Sequence, residues 1–97
     1  MLDEIYKSGK PVRFEQIDVS SFVLSHFPLG TPRESIEQKF NNIKSSKTVA
    51  STNDTLVVRD NRGQAMLDPD ARSVVITFSF DQNKKLQSIE AVHIKNQ

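Results

Sequence analysis

The sequence predicts a small α+β domain in which two N-terminal helices pack on one face of a three- to four-stranded antiparallel sheet, in the order α-α-β-β-β. Three observations support this fold class. Apolar residues recur every three or four positions up to about residue 44, and every second position beyond residue 54. The chain has 97 residues and no cysteine, so we expect one hydrophobic core without disulfide bonds.

The first 17 residues are expected to form an N-terminal arm or a short element. Leu2, Ile5 and Tyr6 have the spacing of one helical face, but Ser8-Gly9-Lys10-Pro11 interrupts the segment. We therefore place the single domain at residues 18–97.

The first predicted helix covers the amphipathic run from Val19 to Phe27. Asp18 is expected to be its N-cap, because a carboxylate can accept hydrogen bonds from the free N–H groups of the first turn. Pro28 ends the helix, since proline disfavours a helical conformation for the residue before it.

The second predicted helix begins within Gly30-Thr31-Pro32-Arg33-Glu34-Ser35-Ile36. Thr31 is expected to be the N-cap, and Pro32 occupies the first helical position, where its missing N–H group is not needed. Glu34 lies three residues after Thr31 and completes a capping box. The apolar face of this helix consists of Ile36, Phe40 and Ile43.

The second half of the chain predicts an antiparallel meander. Residues 44–54 are polar and indicate a loop, while Asp60-Asn61-Arg62-Gly63 and residues 81–85 indicate turns. The strongest strand signal is the alternation from Val74 to Phe80. The other expected strands begin at Thr55 and run from Leu86 to Ile94, with short strands near Thr48-Val49-Ala50 and Ala65-Met66-Leu67 as options.

Residue types that form catalytic and metal sites do not occur at the required spacing. His26 and His93 are the two histidines, and they are not at metal-ligand spacing. No serine lies in a Gly-x-Ser-x-Gly frame, and Asp68-Pro69-Asp70 is interpreted as a turn rather than as paired catalytic acids. We therefore expect no enzyme, no metal and no cofactor.

Charge and hydropathy narrow the class of partner. The net charge is +1 with acids and bases interspersed, and Lys84-Lys85 is not accompanied by an aromatic, basic face, so we expect no nucleic-acid partner. No apolar run approaches the roughly 20 residues of a membrane span. Membrane anchoring would need residues outside this sequence, and the oligomeric state is left open.

One face of the predicted sheet is a candidate protein-binding surface. Helices can cover the side that holds the larger apolar residues, which leaves the other side to Val57, Arg59, Val75, Thr77 and Ser79. Two valines beside an arginine suit a modest interface. The alternative is a solvated sheet face, because valine is common in strands for its β propensity alone.

Two short motifs occur in the order found in a known family. Gly30-Thr31-Pro32-Arg33-Glu34-Ser35-Ile36 opens a helix, and Phe78-Ser79-Phe80-Asp81 followed by a polar turn and Leu86 leads to the last hairpin. Together they resemble the SmpA/OmlA (BamE-like) small envelope lipoprotein domains, which are similar in fold to beta-lactamase inhibitor protein repeats. The resemblance covers about residues 18–94 and implies two helices on one face of an antiparallel sheet.

The resemblance also implies a function. It suggests a non-catalytic protein-binding or scaffold module of the bacterial cell envelope or periplasm, with an unidentified partner. The alternatives are an inhibitor or immunity-type protein that blocks a partner enzyme, and a cytoplasmic location. The sequence lacks the lipidated cysteine of envelope members and the disulfides of the inhibitor proteins, and no partner-contact residue carries over.

Overall fold

The computed structural model describes residues 1–8, 16–63 and 71–95. These residues form one antiparallel sheet with the strand order β1-β5-β4-β3-β2, and three helices. The optional strand at Ala65-Met66-Leu67 lies outside the described residues. The elements are α1 (Leu2–Ser8), β1 (Gln16–Asp18), α2 (Ser20–His26), α3 (Arg33–Asn41), β2 (Ser46–Ser51), β3 (Thr55–Arg62), β4 (Arg72–Phe80) and β5 (Leu86–Lys95).

The predicted fold class is wrong in the number and order of its elements. The described residues show the order α-β-α-α-β-β-β-β and five strands, instead of α-α-β-β-β with three to four strands. The two additional elements near the N-terminus are short, since α1 has 7 residues and β1 has 3. Elements of this length depend on tertiary contacts, which a local sequence pattern does not record.

The contacts that hold these two short elements are long-range. Leu2, Ile5 and Tyr6 of α1 are buried in the core. β1 pairs with the last strand, so that Gln16 lies opposite Ile94.

The predicted loop at residues 44–54 contains the edge strand β2. Ser46–Ser51 pairs with β3 through a register shift between Thr48 and Ala50, and all of its residues after the first are exposed. The predicted turn at Asp60-Asn61-Arg62-Gly63 is also wrong, because its first three residues continue β3. Asp60 is only 2% exposed, so a residue type typical of turns serves here as a buried strand residue.

The hydrophobic core lies between the helices and one face of the sheet. The rings of Phe27, Phe40 and Phe78 form its centre, with centroid separations of 5.7 to 5.8 Å. The strands contribute alternate residues to the same core, so that α2 and α3 lie on one side of the sheet. The buried strand residues of the core are Leu56, Val58, Val74, Ile76, Phe78, Phe80, Leu86 and Ala91.

The start of α3 differs from the predicted capping box. Pro32 is the N-cap residue, with φ −63° and ψ 139°, and no side chain caps the helix. The Thr31 hydroxyl donates instead to the carbonyl of Pro28 at 2.5 Å. The turn between β4 and β5 holds the helix start, because the Arg33 N–H donates to the Lys84 carbonyl at 2.9 Å.

The start of α2 also differs from the prediction. Asp18 is the last residue of β1, and Val19 is the N-cap residue of α2. The Asp18 carboxylate nevertheless accepts the N–H of Ser20 at 2.9 Å. It thus satisfies a donor of the first turn, although it precedes the N-cap residue by one position.

Candidate functional site

The five residues predicted for protein binding lie on one face of the sheet. Val57 and Arg59 on β3, and Val75, Thr77 and Ser79 on β4, alternate with the buried core residues of the same strands. All five are half-buried, and the register places Arg59 opposite Val75 and Val57 opposite Thr77. We call this side of the sheet, which points away from the core, the outer face.

The outer face extends onto β5, beyond the five residues predicted from the sequence. Val92 lies opposite Val75, and Ile94 lies opposite Ser73. Val92 and Ile94 are half-buried, whereas Ser73 is fully buried. The signal was present in the sequence, because these two residues alternate with Ala91 and His93 as the β4 residues do. The outer face therefore carries an apolar strip of Val57, Val75, Val92 and Ile94.

Arg59, which lies opposite Val75, forms hydrogen bonds with the neighbouring cross-strand pair of Asn61 and Ser73. Its Nε donates to Asn61 Oδ1 at 3.1 Å, and its Nη2 lies 3.2 Å from the hydroxyl oxygen of Ser73. The Ser73 hydroxyl donates to the same Asn61 oxygen at 2.6 Å. These bonds hold the guanidinium along the sheet, next to the valines.

A buried polar cluster joins α1 to β3 on the opposite side of the sheet. The Asp60 carboxylate accepts hydrogen bonds from the hydroxyls of Tyr6 at 2.7 Å, Ser45 at 2.5 Å and Ser46 at 2.6 Å. Burial and the Asp60 carboxylate raise the pKa of Tyr6 well above its ordinary value, so the phenol stays neutral. Tyr6 and Asp60 are 54 residues apart, and no local pattern in the sequence links them.

Cationic side chains surround the Tyr6 ring. The Arg62 guanidinium lies 4.2 Å from the ring centroid and also pairs with Asp3. The Arg72 guanidinium lies 5.4 Å from the centroid, and its Nη1 donates to the Tyr6 carbonyl at 2.7 Å. The His93 ring packs edge-on at 5.2 Å. α1 thus packs against this end of the sheet.

The two histidines have different environments. His93 is 1% exposed, and its Nε2 has no hydrogen-bond partner within the described part of the chain. Burial, followed by the nearby Arg72 charge, lowers the pKa of His93. His26 is exposed on α2 beside the Phe22 ring. Within residues 1–8, 16–63 and 71–95, no group of three or more potential metal ligands comes together.

An open groove of about 910 Å³ lies between the tips of the β2–β3 and β4–β5 hairpins. Its acidic residues act as acceptors within their own turns. Asp54 binds the hydroxyls of Thr52 and Thr55, which lower its pKa, and Asp81 accepts two backbone N–H groups. Lys84 spans the groove, because its Nζ donates to the Asn53 carbonyl at 2.6 Å. These polar groups connect the two hairpins.

Arg33 connects the same hairpins to α3. Its Nη1 donates to the Thr52 carbonyl at 2.6 Å, its Nη2 to the Ser51 hydroxyl at 2.7 Å, and its Nε to Glu37 at 2.9 Å. The guanidinium also lies 5.1 Å from the centroid of the Phe80 ring. Arg33 belongs to the predicted helix start, but no local pattern in the sequence indicates that it connects the hairpins.

The fold and the outer face define a small α+β protein with helices on one side of a five-stranded antiparallel sheet, as far as the described residues show. A model of a family of unknown function (DUF6393) matches residues 2–97, so the chain belongs to that family. No curated protein and no solved structure gives a significant match. No helix in the described ranges is long and apolar enough to cross a membrane.

Proposed function

We propose that this chain is a non-catalytic protein-binding module that contacts its partner through the outer face. The observation that carries the proposal is the apolar strip of Val57, Val75, Val92 and Ile94, on the side of the sheet away from the described helices. All four side chains are half-buried in the isolated chain. A partner that completes their burial gains about 25 cal/mol for each Å² of apolar surface removed from water.

The charged residues around the strip support the same role. The outer face carries three charged residues near the apolar strip. Arg59 lies opposite Val75, Lys47 lies opposite Arg59, and Glu90 lies opposite Thr77. An apolar centre with polar groups around it is the usual composition of a protein interface.

The buried polar groups support a binding role rather than catalysis. Asp60 accepts three hydroxyl hydrogen bonds, which fix the carboxylate inside the fold. The pKa of Tyr6 is raised from an ordinary value of 10.0, so its phenol is an even poorer general base or nucleophile near neutral pH than an exposed tyrosine. These groups therefore serve the fold.

The resemblance to SmpA/OmlA domains supports a proposed location in the bacterial cell envelope. The motif at Gly30-Thr31-Pro32 opens a helix at Arg33, which is the arrangement that the resemblance implies. Subcellular fractionation of the source cells tests the location independently of the binding surface. Recovery of the chain with the cytosol would contradict the envelope proposal and leave the proposed binding surface unaffected.

Site-specific photo-crosslinking tests the binding function. A photoreactive amino acid at Thr77 lies within the outer face, and the same amino acid at Gln38 lies on the exposed side of α3 as a matched control. We expect a discrete protein adduct from position 77 and none from position 38. An envelope component as the adduct favours the scaffold role, whereas an enzyme that loses activity on binding favours the inhibitor alternative.

The double substitution Val57→Lys and Val75→Lys is the second arm of this test. It places two ammonium groups on the apolar strip, so the Thr77 adduct should disappear while the fold persists by circular dichroism. An unchanged adduct, or identical adducts from positions 77 and 38, would overturn the proposed function.

A further inference from the structure

The charges of the outer face are arranged so that the face complements a second copy of itself. We propose that the partner is a second copy of this chain, bound face to face about a two-fold axis that runs along β4. This proposal rests on the proposed function, because it names the partner of the same surface.

The arrangement follows from a single row of residues that crosses all five strands. Lys47 lies opposite Arg59, Arg59 opposite Val75, Val75 opposite Val92, and Val92 opposite Asp18. Directly paired residues of antiparallel strands point to the same face. The row therefore runs from two cations on β2 and β3, through two valines on β4 and β5, to a carboxylate on β1.

A neighbouring position strengthens this separation of charge. Glu90 on β5 lies opposite Thr77 and adds a second carboxylate to the acidic side. Lys47, Asp18 and Glu90 are all exposed. Hydrogen bonds from Ser20 lower the pKa of Asp18, so this carboxylate is charged at neutral pH. The outer face is thus basic along one edge, acidic along the other and apolar between them.

Two-fold symmetry converts this separation into complementarity. β4 is the middle strand of the five. A two-fold axis along β4 therefore places β4 of the second copy over β4 of the first, β5 over β3, and β1 over β2. Lys47 then faces Asp18 of the second copy, twice by symmetry, and Val75 faces Val75 at the axis. Arg59 faces Val92 and Glu90 faces Val57, so the direct charge complementarity of this dimer rests on the two Lys47–Asp18 contacts. An axis across the strands would place Lys47 against Lys47, so like-charge repulsion disfavours that dimer.

The size and geometry of the outer face suit this contact. Strands lie about 4.8 Å apart, so five strands present a face roughly 24 Å wide. An eight-residue strand is about 27 Å long at about 3.4 Å per residue. Because β1 has 3 residues and β2 has 6, the footprint is on the order of 600 Å², below the roughly 800 Å² per partner of a standard interface and suited to a reversible dimer. The proposed axis leaves the strands of the two sheets nearly aligned, which is a common packing of two sheets.

Pairing through the edge strand β2 is the competing arrangement. Its register shift between Thr48 and Ala50 interrupts the ladder that a second copy would need to extend. The outer face has no comparable interruption on β3, β4 or β5 over the row that contains Val75.

Sedimentation equilibrium of the full chain tests the proposal through charge reversal. We expect a reversible dimer, and we expect Lys47→Glu and Asp18→Lys each to weaken it at least about tenfold, because each places two like-charge pairs across the interface. An equimolar mixture of the two variants should restore association, since both contacts of the mixed dimer are then opposite in charge. Lys44→Glu makes the same charge change at an exposed residue outside the sheet and should leave the dimer unchanged.

A second variant tests the dimer without changing Asp18, whose carboxylate also accepts a hydrogen bond from Ser20. Val75→Lys places charge on the proposed axis and should abolish the dimer while circular dichroism shows the fold intact. A monomeric wild-type chain would overturn the proposal, as would a mixture no more associated than either variant alone. A dimer that survives Val75→Lys but is lost with Thr48→Pro would use the edge of β2, and this outcome would also overturn it.

The two proposals fail in different ways. If the chain is monomeric and the photoreactive residue at Thr77 captures a different protein, the proposed function stands and the self-association is wrong. If position 77 captures nothing and the chain is monomeric, both are wrong. An adduct between two copies of the chain supports both.

Discussion

The two faces of the sheet use alternate residues of the same strands but have different chemistry. Val74, Ile76 and Phe78 are at most 1% exposed on the core face, whereas Val75 and Thr77 between them are half-buried on the outer face. Both faces carry branched apolar residues, so hydropathy separates them poorly. The distribution of charge separates them better, and we expect the two faces to contribute very differently to stability.

The largest expected difference is between an aromatic residue of the core face and its near neighbour on the outer face. Phe78→Ala should lower the free energy of unfolding by about 3–5 kcal/mol, because the ring packs against Phe27 and Phe40. Val75→Ala, three residues away on the same strand, should cost about 1 kcal/mol or less. Chemical denaturation measures both, and equal losses would show that the outer face is a second core.

The buried cluster around Asp60 should show the next largest effect. Asp60→Ala leaves the hydroxyls of Tyr6, Ser45 and Ser46 without their acceptor, and we expect a loss of about 2–4 kcal/mol. Tyr6→Phe removes only one donor and keeps the ring, so it should cost about 1 kcal/mol. Denaturation of both single variants and the double variant measures their coupling, and purely additive losses would contradict a shared network.

Periodicity in the sequence predicted α2, α3 and the three long strands. It left α1 as an arm or short element and part of β2 as an option, and it missed β1. The run around Phe40 forms a helix, and the run around Phe78 forms a strand, because each presents an apolar face of its own. Tyr6 in α1 and Ile17 in β1 are positioned by contacts with residues more than 50 positions away in the sequence. Thr31 failed as a cap because the neighbouring hairpin, through Lys84, already satisfies the helix start.

The candidate site was predictable to a similar extent. Alternation was enough to place Val57 and Val75 on one face, and the same argument applied to the last strand would have added Val92. The positions of Lys47 and Asp18 on that face depend on the pairing of two strands with few apolar residues. Their register is a property of the folded sheet, and it decides the charge pattern of the outer face.

The free energy of unfolding should also depend on pH, because His93 is buried on the core face. Burial lowers the pKa of His93 below the unfolded value of 6.5, so the unfolded chain binds a proton at a pH where the folded chain does not. The free energy of unfolding should therefore fall as the pH drops below 6.5, and this contribution should level off below the folded pKa. Denaturation curves between pH 7.5 and 5 measure the effect.

A matched pair of histidine variants isolates this contribution. His93→Leu should remove most of the pH dependence in this window, whatever its effect on stability at pH 7.5. His26→Gln changes the other histidine, which is exposed on α2, and should keep the wild-type profile. The carboxylates of Asp3, Asp18 and Asp54 have pKa values lowered from 3.8, so their contributions change at more acidic pH. A profile that His93→Leu leaves unchanged would contradict the assignment.

The smallest expected effect comes from Val57 on the outer face, and its neighbour Val58 on the core face provides the comparison. Val57→Thr on the outer face should change the free energy of unfolding by less than about 0.5 kcal/mol, because threonine keeps the branched shape and its hydroxyl can reach water. Val58→Thr buries the same hydroxyl at a position 1% exposed and should cost about 1–3 kcal/mol. The two substitutions are chemically identical and one residue apart, so their difference measures only the contrast between the faces. Similar losses in denaturation would mean that another part of the chain covers Val57 in solution, and the outer face would then not be available to a partner.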